Sequence, residues 1–88
     1  MEIEYTPTFE RDLRRARNAQ LRARIERLIG TLRAASSLAT VSGVRRLTGP
    51  GSNYRIRIGD YRLGIALDGD TVILVRLLHR RDIYRHFP

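Results

Sequence analysis

The residues with chemistry to offer are four arginines and a tyrosine. Arg55 and Arg57 stand two apart in Tyr54-Arg55-Ile56-Arg57-Ile58. Residues two apart on a strand share a face and lie about 7 Å from one another, so the pair makes a doubly positive patch. Arg62 follows the reversal at Gly59-Asp60 with the same parity, and Arg80 follows the third long apolar run. The acids of this region, Asp60, Asp68 and Asp70, fall in turns and leave the arginines without neutralising partners. Planar guanidinium forks gathered in this way hold a polyanion. Tyr84, one helical turn beyond Arg80, adds a ring that stacks on a base and a hydroxyl that reaches a sugar oxygen. Taken singly, each residue has an ordinary explanation, since strand arginines often only solubilise and a tyrosine late in a chain often packs. Taken together they predict a site for a polyanion.

Composition agrees. The 88 residues carry 17 Lys or Arg against 9 Asp or Glu, for a formal charge of +8, which favours a nucleic acid or an acidic protein as partner. All of the basic residues are arginine, a choice that fits bidentate phosphate contacts and equally a biased codon supply. Cysteine is absent, which excludes disulfides and thiolate chemistry, and His79 and His86 alone make no metal set, so neither a metal nor a cofactor is expected. The start, Met1-Glu2-Ile3-Glu4-Tyr5, is no secretion signal and no later run has the length of a membrane span. The expectation is a cytoplasmic protein of one small domain over residues 1–88, with no membrane partner.

The elements that position these residues read as follows. Ile3 and Tyr5 alternate with glutamates as a short strand at the sheet edge. Thr6 caps a helix opened by Pro7, with Glu10 and Asp12 near its positive end and Phe9, Leu13 and Ala16 as its apolar stripe. After a break at Asn18-Ala19, the stripe Leu21, Ile25, Leu28, Ile29, Leu32 predicts a second amphipathic helix. The two form a hairpin over the isoleucine side of the sheet, with Arg11, Arg14, Arg15, Arg17, Arg22, Arg24, Arg27 and Arg33 outward against only Glu10, Asp12 and Glu26. Residues 34–51 read as a loop anchored by Val44-Arg45-Arg46-Leu47, with Leu47 inward and the arginines near the mouth of the site. Tyr54–Ile58, Tyr61–Leu67 and Thr71–Leu78 make an antiparallel meander joined at Gly59-Asp60 and Asp68-Gly69-Asp70. Its third run is so continuously apolar that burial on both faces is expected. Residues 79–87 form a short helix or ordered tail held by Ile83 or Phe87.

The run Tyr54-Arg55-Ile56-Arg57-Ile58, then Gly59-Asp60-Tyr61-Arg62-Leu63 and the closing His79-Arg80-Arg81-Asp82-Ile83-Tyr84-Arg85 resemble the RelE/ParE superfamily of toxins from type II toxin-antitoxin systems, nearer the RelE branch. The likeness spans nearly the whole chain. It implies an α+β, RelE-like fold, in which an N-terminal strand and helical hairpin pack on a twisted antiparallel sheet with a short C-terminal helix. It implies a metal-independent endoribonuclease that cuts mRNA in the A site of the ribosomal 30S subunit, and a cognate antitoxin protein as partner. Arg55 and Arg57 fall where the family has a basic pair, commonly lysines. Arg62 matches the arginine that stabilises the reacting phosphate, Arg80 the one near the leaving group, and Tyr84 the tyrosine that contacts the nucleotide. Arg45, Arg46, Arg76, Arg81 and Arg85 would extend the RNA-binding surface.

Arginine in place of lysine matters, because a guanidinium does not release its proton and Arg57 cannot act as a base. His79 is then the candidate proton acceptor, since imidazole titrates near neutrality, with His86 behind it. Apolar margins at Leu77, Leu78 and Phe87 suit an acidic antitoxin segment that folds on binding. Two other functions share the same features: a ParE-like, non-enzymatic inhibitor of DNA gyrase, and an inactive nucleic-acid-binding co-repressor.

Overall fold

The computed structural model describes residues 1–88. The elements run β1 (Glu2–Tyr5), α1 (Pro7–Ala16), α2 (Ala19–Ala34), a 3-10 turn (Leu38–Thr40), β2 (Val44–Arg46), β3 (Asn53–Ile58), β4 (Tyr61–Asp68), β5 (Thr71–His79) and α3 (Ile83–His86). The strands make one sheet in the order β1-β5-β4-β3-β2. It is antiparallel except for its first pair, where β1 runs parallel to β5. No helix is long and apolar enough to cross a membrane.

The helices start and stop where their side chains can satisfy free backbone groups. Thr6 Oγ1 accepts the Phe9 N–H at 3.0 Å and the Thr6 hydroxyl donates to the Val75 carbonyl, also at 3.0 Å, so one residue caps α1 and ties it to β5. Arg17, in the left-handed conformation (φ +47), ends α1. Asn18 Oδ1 then accepts the Leu21 N–H and opens α2. Replacing Thr6 with alanine removes the cap and the tie together, and a loss of about 1–2 kcal/mol is expected in urea unfolding.

Between the helices and the sheet lies a core of Phe9, Leu21, Ile25, Leu32, Leu38 and Val41 packed on Ile56, Ile58, Leu63, Ile65, Val72, Leu74 and Leu77. Alternation in β3 and β4 leaves Arg55, Arg57, Arg62 and Gly64 on the other face.

Two expectations for this region are corrected. Residues 34–51 are not all loop. They hold the 3-10 turn and the edge strand β2, and the inward residues are Leu38 and Val41 rather than Leu47, which is half-buried outside the core. Nor is β5 buried on both faces: it lies inside the sheet, but its buried residues are Val72, Leu74 and Leu77. The jump from even to odd numbers marks a bulge. Gly64 pairs with Arg76 and Ile65 with Leu74, so Val75 has no opposite number, and an extra residue reverses the facing of everything after it.

Asp12 is also not where its sequence context puts it. It is buried, and its carboxylate takes Arg76 Nε at 2.8 Å, Arg76 Nη2 at 3.2 Å and the Leu77 N–H at 3.0 Å. The cause is the shortness of β1, whose pairing with β5 ends at Leu74. Beyond that point the β5 edge has lost its strand partner, and α1 takes over through Thr6 and Asp12.

Candidate active site

The sheet face turned away from α1 and α2 carries a row of facing residues across four strands: Arg45 opposite Arg55, Arg55 opposite Gly64, and Gly64 opposite Arg76. Next to that row, Arg57 lies directly opposite Arg62. Like charges placed directly opposite on neighbouring strands are destabilising, yet no carboxylate approaches them. The one ion pair in the molecule is Arg76 with Asp12.

Arg62 is aimed by its own turn. Its Nη1 donates to the Gly59 carbonyl at 2.8 Å and the Tyr61 carbonyl at 2.9 Å. Gly59 needs its positive φ of +58 to make that turn. Desolvation first, then the charges of Arg57 and Arg55 and more weakly that of Arg80, hold the Arg62 guanidinium below the usual arginine value, while the Tyr84 phenol acts in the opposite direction. The group stays protonated. Arg80 arrives from the end of β5, where its N–H donates to the Asp60 carbonyl at 2.8 Å. Tyr84 stands on α3 with 60% of its surface exposed. An anion set among these groups would relieve their mutual repulsion, which is the electrostatic condition for binding a phosphate.

A family model described as the ParE toxin of type II toxin-antitoxin systems matches residues 3–84. The chain belongs to that family. Toxin RelE3 of Methanocaldococcus jannaschii is 37% identical over the full length of both chains. Among solved structures, the RelB-RelE antitoxin-toxin complex from Methanococcus jannaschii superposes with a TM-score of 0.82 at 36% identity, covering 97% of this chain and 99% of that one. The RelBE2 toxin-antitoxin complex from Mycobacterium tuberculosis gives 0.68 at 28% identity, over 90% and 96%. The protein is a type II toxin of the RelE/ParE superfamily with the α+β fold of RelE toxins.

Within this toxin the geometry divides the candidate residues. Arg55, Arg57, Arg62, Arg80 and Tyr84 come together, and Arg45 joins them from β2. Arg81 and Arg85 are exposed beside them. Arg46 does not belong: it pairs with Tyr54 on the helix side and lines a surface hollow with Leu38, Val41 and Leu67. Arg76 is held by Asp12, so it is not free to bind RNA. His79 is separated as well. Its strand partner is Tyr61, which packs against the core, and the two rings meet edge to face at 5.8 Å. Its Nδ1 accepts the Arg81 N–H at 3.2 Å. The bulge at Val75 is the reason, because it turns His79 to the helix side while Arg62 stays on the other. His86 lines the same cleft as His79, between α1 and α3.

The apolar margins are corrected too. Leu77 and Phe87 are buried and Leu78 is half-buried, while the large apolar side chains left exposed are Tyr5 and Tyr84. Sequence reasoning overlooked Gly64, the gap in the arginine row, and its only signal was a glycine inside an alternating strand.

Proposed function

We propose that this toxin is an endoribonuclease that cleaves mRNA on the ribosome, with Arg55, Arg57, Arg62, Arg80 and Tyr84 as its working residues. The observation that carries the reading is the facing pair Arg57 and Arg62 on an arginine face without a carboxylate. The ribose 2′-oxygen attacks the adjacent 3′-phosphorus and the bond to the 5′-oxygen breaks, leaving a 2′,3′-cyclic phosphate and a 5′-hydroxyl. Arg55, Arg57 and Arg62 neutralise charge as it gathers on the phosphate oxygens, and Arg80 or Tyr84 assists the departing oxygen. The 2′-hydroxyl proton passes to solvent water, and the departing 5′-oxygen takes a proton from the Tyr84 phenol or from water.

The proton of the 2′-hydroxyl does not go to His79, which faces away. His79→Ala is therefore expected to change the rate by less than about threefold, and the pH profile should rise without the inflection near neutrality that an imidazole base imposes. An inflection that disappears in His79→Ala would return the base role to His79. Such modest proton transfer suits an enzyme whose substrate is oriented by the ribosome, since positioning supplies much of the acceleration.

The decisive experiment is primer extension on mRNA from a cell-free translation reaction given the purified toxin, beside the same RNA without ribosomes. New 5′ ends in phase with codons, present only during translation, are expected. Cuts on naked RNA as well would make it a free ribonuclease.

The family is described as that of the ParE toxin, and the second reading that the sequence resemblance implies is a ParE-like block of DNA gyrase. No cuts in either reaction together with inhibited DNA supercoiling would establish it. The partner under both readings is a cognate antitoxin, supported by relatives solved in toxin-antitoxin complexes and by the net charge of +8, which suits an acidic segment that folds on binding. Translating ribosomes as target put the site of action in the cytoplasm.

A further inference from the structure

Of the buried apolar side chains, Ile83 and Phe87 alone lie outside the main core. They anchor α3, a four-residue helix far too short to persist unaided. The residues between them, Tyr84, Arg85 and His86, are exposed. The Phe87 N–H closes the turn on the Ile83 carbonyl at 2.8 Å, and Phe87 itself is 4% exposed. Its seat is Gly64. A Cβ on Gly64 would stand 2.7, 2.7 and 2.9 Å from three carbons of the Phe87 ring, closer than real side chains pack, so the ring rests on bare backbone. Gly64 has no positive φ that would demand glycine. It is glycine to make room. It also lies directly across from Arg55 and two residues along β4 from Arg62, in the middle of the arginine face.

We propose that Phe87 is a positioning residue: seated on Gly64, its ring fixes α3 on the arginine face and so holds Tyr84 beside Arg62. The proposal rests on reading that face as the RNA-cleaving site. It assigns Gly64 a role by what it lacks.

The test compares the wild-type toxin with Gly64→Ala, Phe87→Ala, Tyr84→Ala and the double variants Gly64→Ala/Phe87→Ala and Gly64→Ala/Tyr84→Ala. Two readouts are used: mRNA cleavage during translation, and the rate at which trypsin cuts after Arg81 and Arg85, followed by mass spectrometry. The added methyl expels the ring, so cutting after Arg81 and Arg85 should quicken about tenfold or more through local opening, with the sheet arginines still protected. Cleavage of mRNA should fall about tenfold or more through lost alignment.

Two couplings separate positioning from plain packing. Once Phe87 is alanine, Gly64→Ala should add nothing to tryptic release. Once Tyr84 is alanine, Gly64→Ala should cost no further mRNA cleavage. Wild-type protection in Gly64→Ala would overturn the seating. A loosened tail with unchanged cleavage, or a full Gly64→Ala loss in the Tyr84→Ala background, would overturn the positioning role. Absence of cleavage by the wild-type toxin would overturn the nuclease reading and the positioning role with it, while the tryptic comparison still decides whether Phe87 holds α3.

Discussion

Under the nuclease reading, Arg62→Ala is expected to slow mRNA cleavage by about 100–1000-fold, the usual loss when one donor aimed at a developing oxyanion is removed, and to leave the fold unchanged. The two halves of this expectation have separate causes. Only Nη1 of Arg62 is engaged with backbone carbonyls, those of Gly59 and Tyr61. Nε and Nη2 carry no partner within the protein, so that edge of the fork is available to grip two oxygens of one phosphate. Stability does not suffer, because the side chain is only half-buried and its removal relieves repulsion with Arg57 and Arg55. Arg62→Lys keeps the charge but loses the fork, and it should recover a minor part of the rate. Primer extension time courses measure the first half and thermal unfolding by circular dichroism the second. Normal cleavage by Arg62→Ala would move the reacting phosphate to another part of the face.

The opposite pattern is expected of Asp12→Ala, which should destabilise the fold without touching the chemistry. The substitution strips Arg76 of its partner and leaves the buried Leu77 N–H without an acceptor. Breaking a buried pair from one side costs about 3–5 kcal/mol, against a total stability of about 5–15 kcal/mol for a domain. In a chain this small the melting temperature should fall by at least about 12 °C. Asp12→Asn retains an oxygen for Leu77 and loses the charge-assisted bonds to Arg76, at about 1.5–3 kcal/mol. In both variants the rate per folded molecule should match the wild type, which separates this carboxylate from the arginine face. A melting temperature within a few degrees of the wild type in Asp12→Ala would mean that α1 does not depend on this contact at the β5 edge.

Local pattern carried much of the fold. The alternation around Ile56 and Ile58, the stripe from Leu21 to Leu32 and the Thr6 cap are each properties of a few neighbouring residues, and each has its expected place in the structure. Failures of the sequence reading trace to facts that no short window holds. The bulge at Val75 is one, since a run as uniformly apolar as residues 72–75 gives no sign of where parity changes, and that change decides which way His79 faces. Asp12 is another. An aspartate in an early helical turn reads as a dipole partner, and only the early end of β1 explains why it is instead buried against β5. The strand β2 is three residues long, too short for a period to register. Among arginines, sequence alone cannot separate Arg45 from Arg46, because the register of an edge strand decides which one reaches the site.

The parallel pairing of β1 with β5 also governs when the molecule can exist. Thr6 meets Val75 across 69 positions of sequence, so the first strand to be synthesised waits for the last before the sheet can close. Contacts so distant along the chain form late and slowly. Arg80 and Tyr84 emerge later still. During synthesis from the N-terminal end, a nascent chain therefore has neither the closed sheet nor the complete constellation until its last residues are made. Under the nuclease reading, a ribosome making this toxin is spared by the order of its own output, and the interval gives an antitoxin time to arrive.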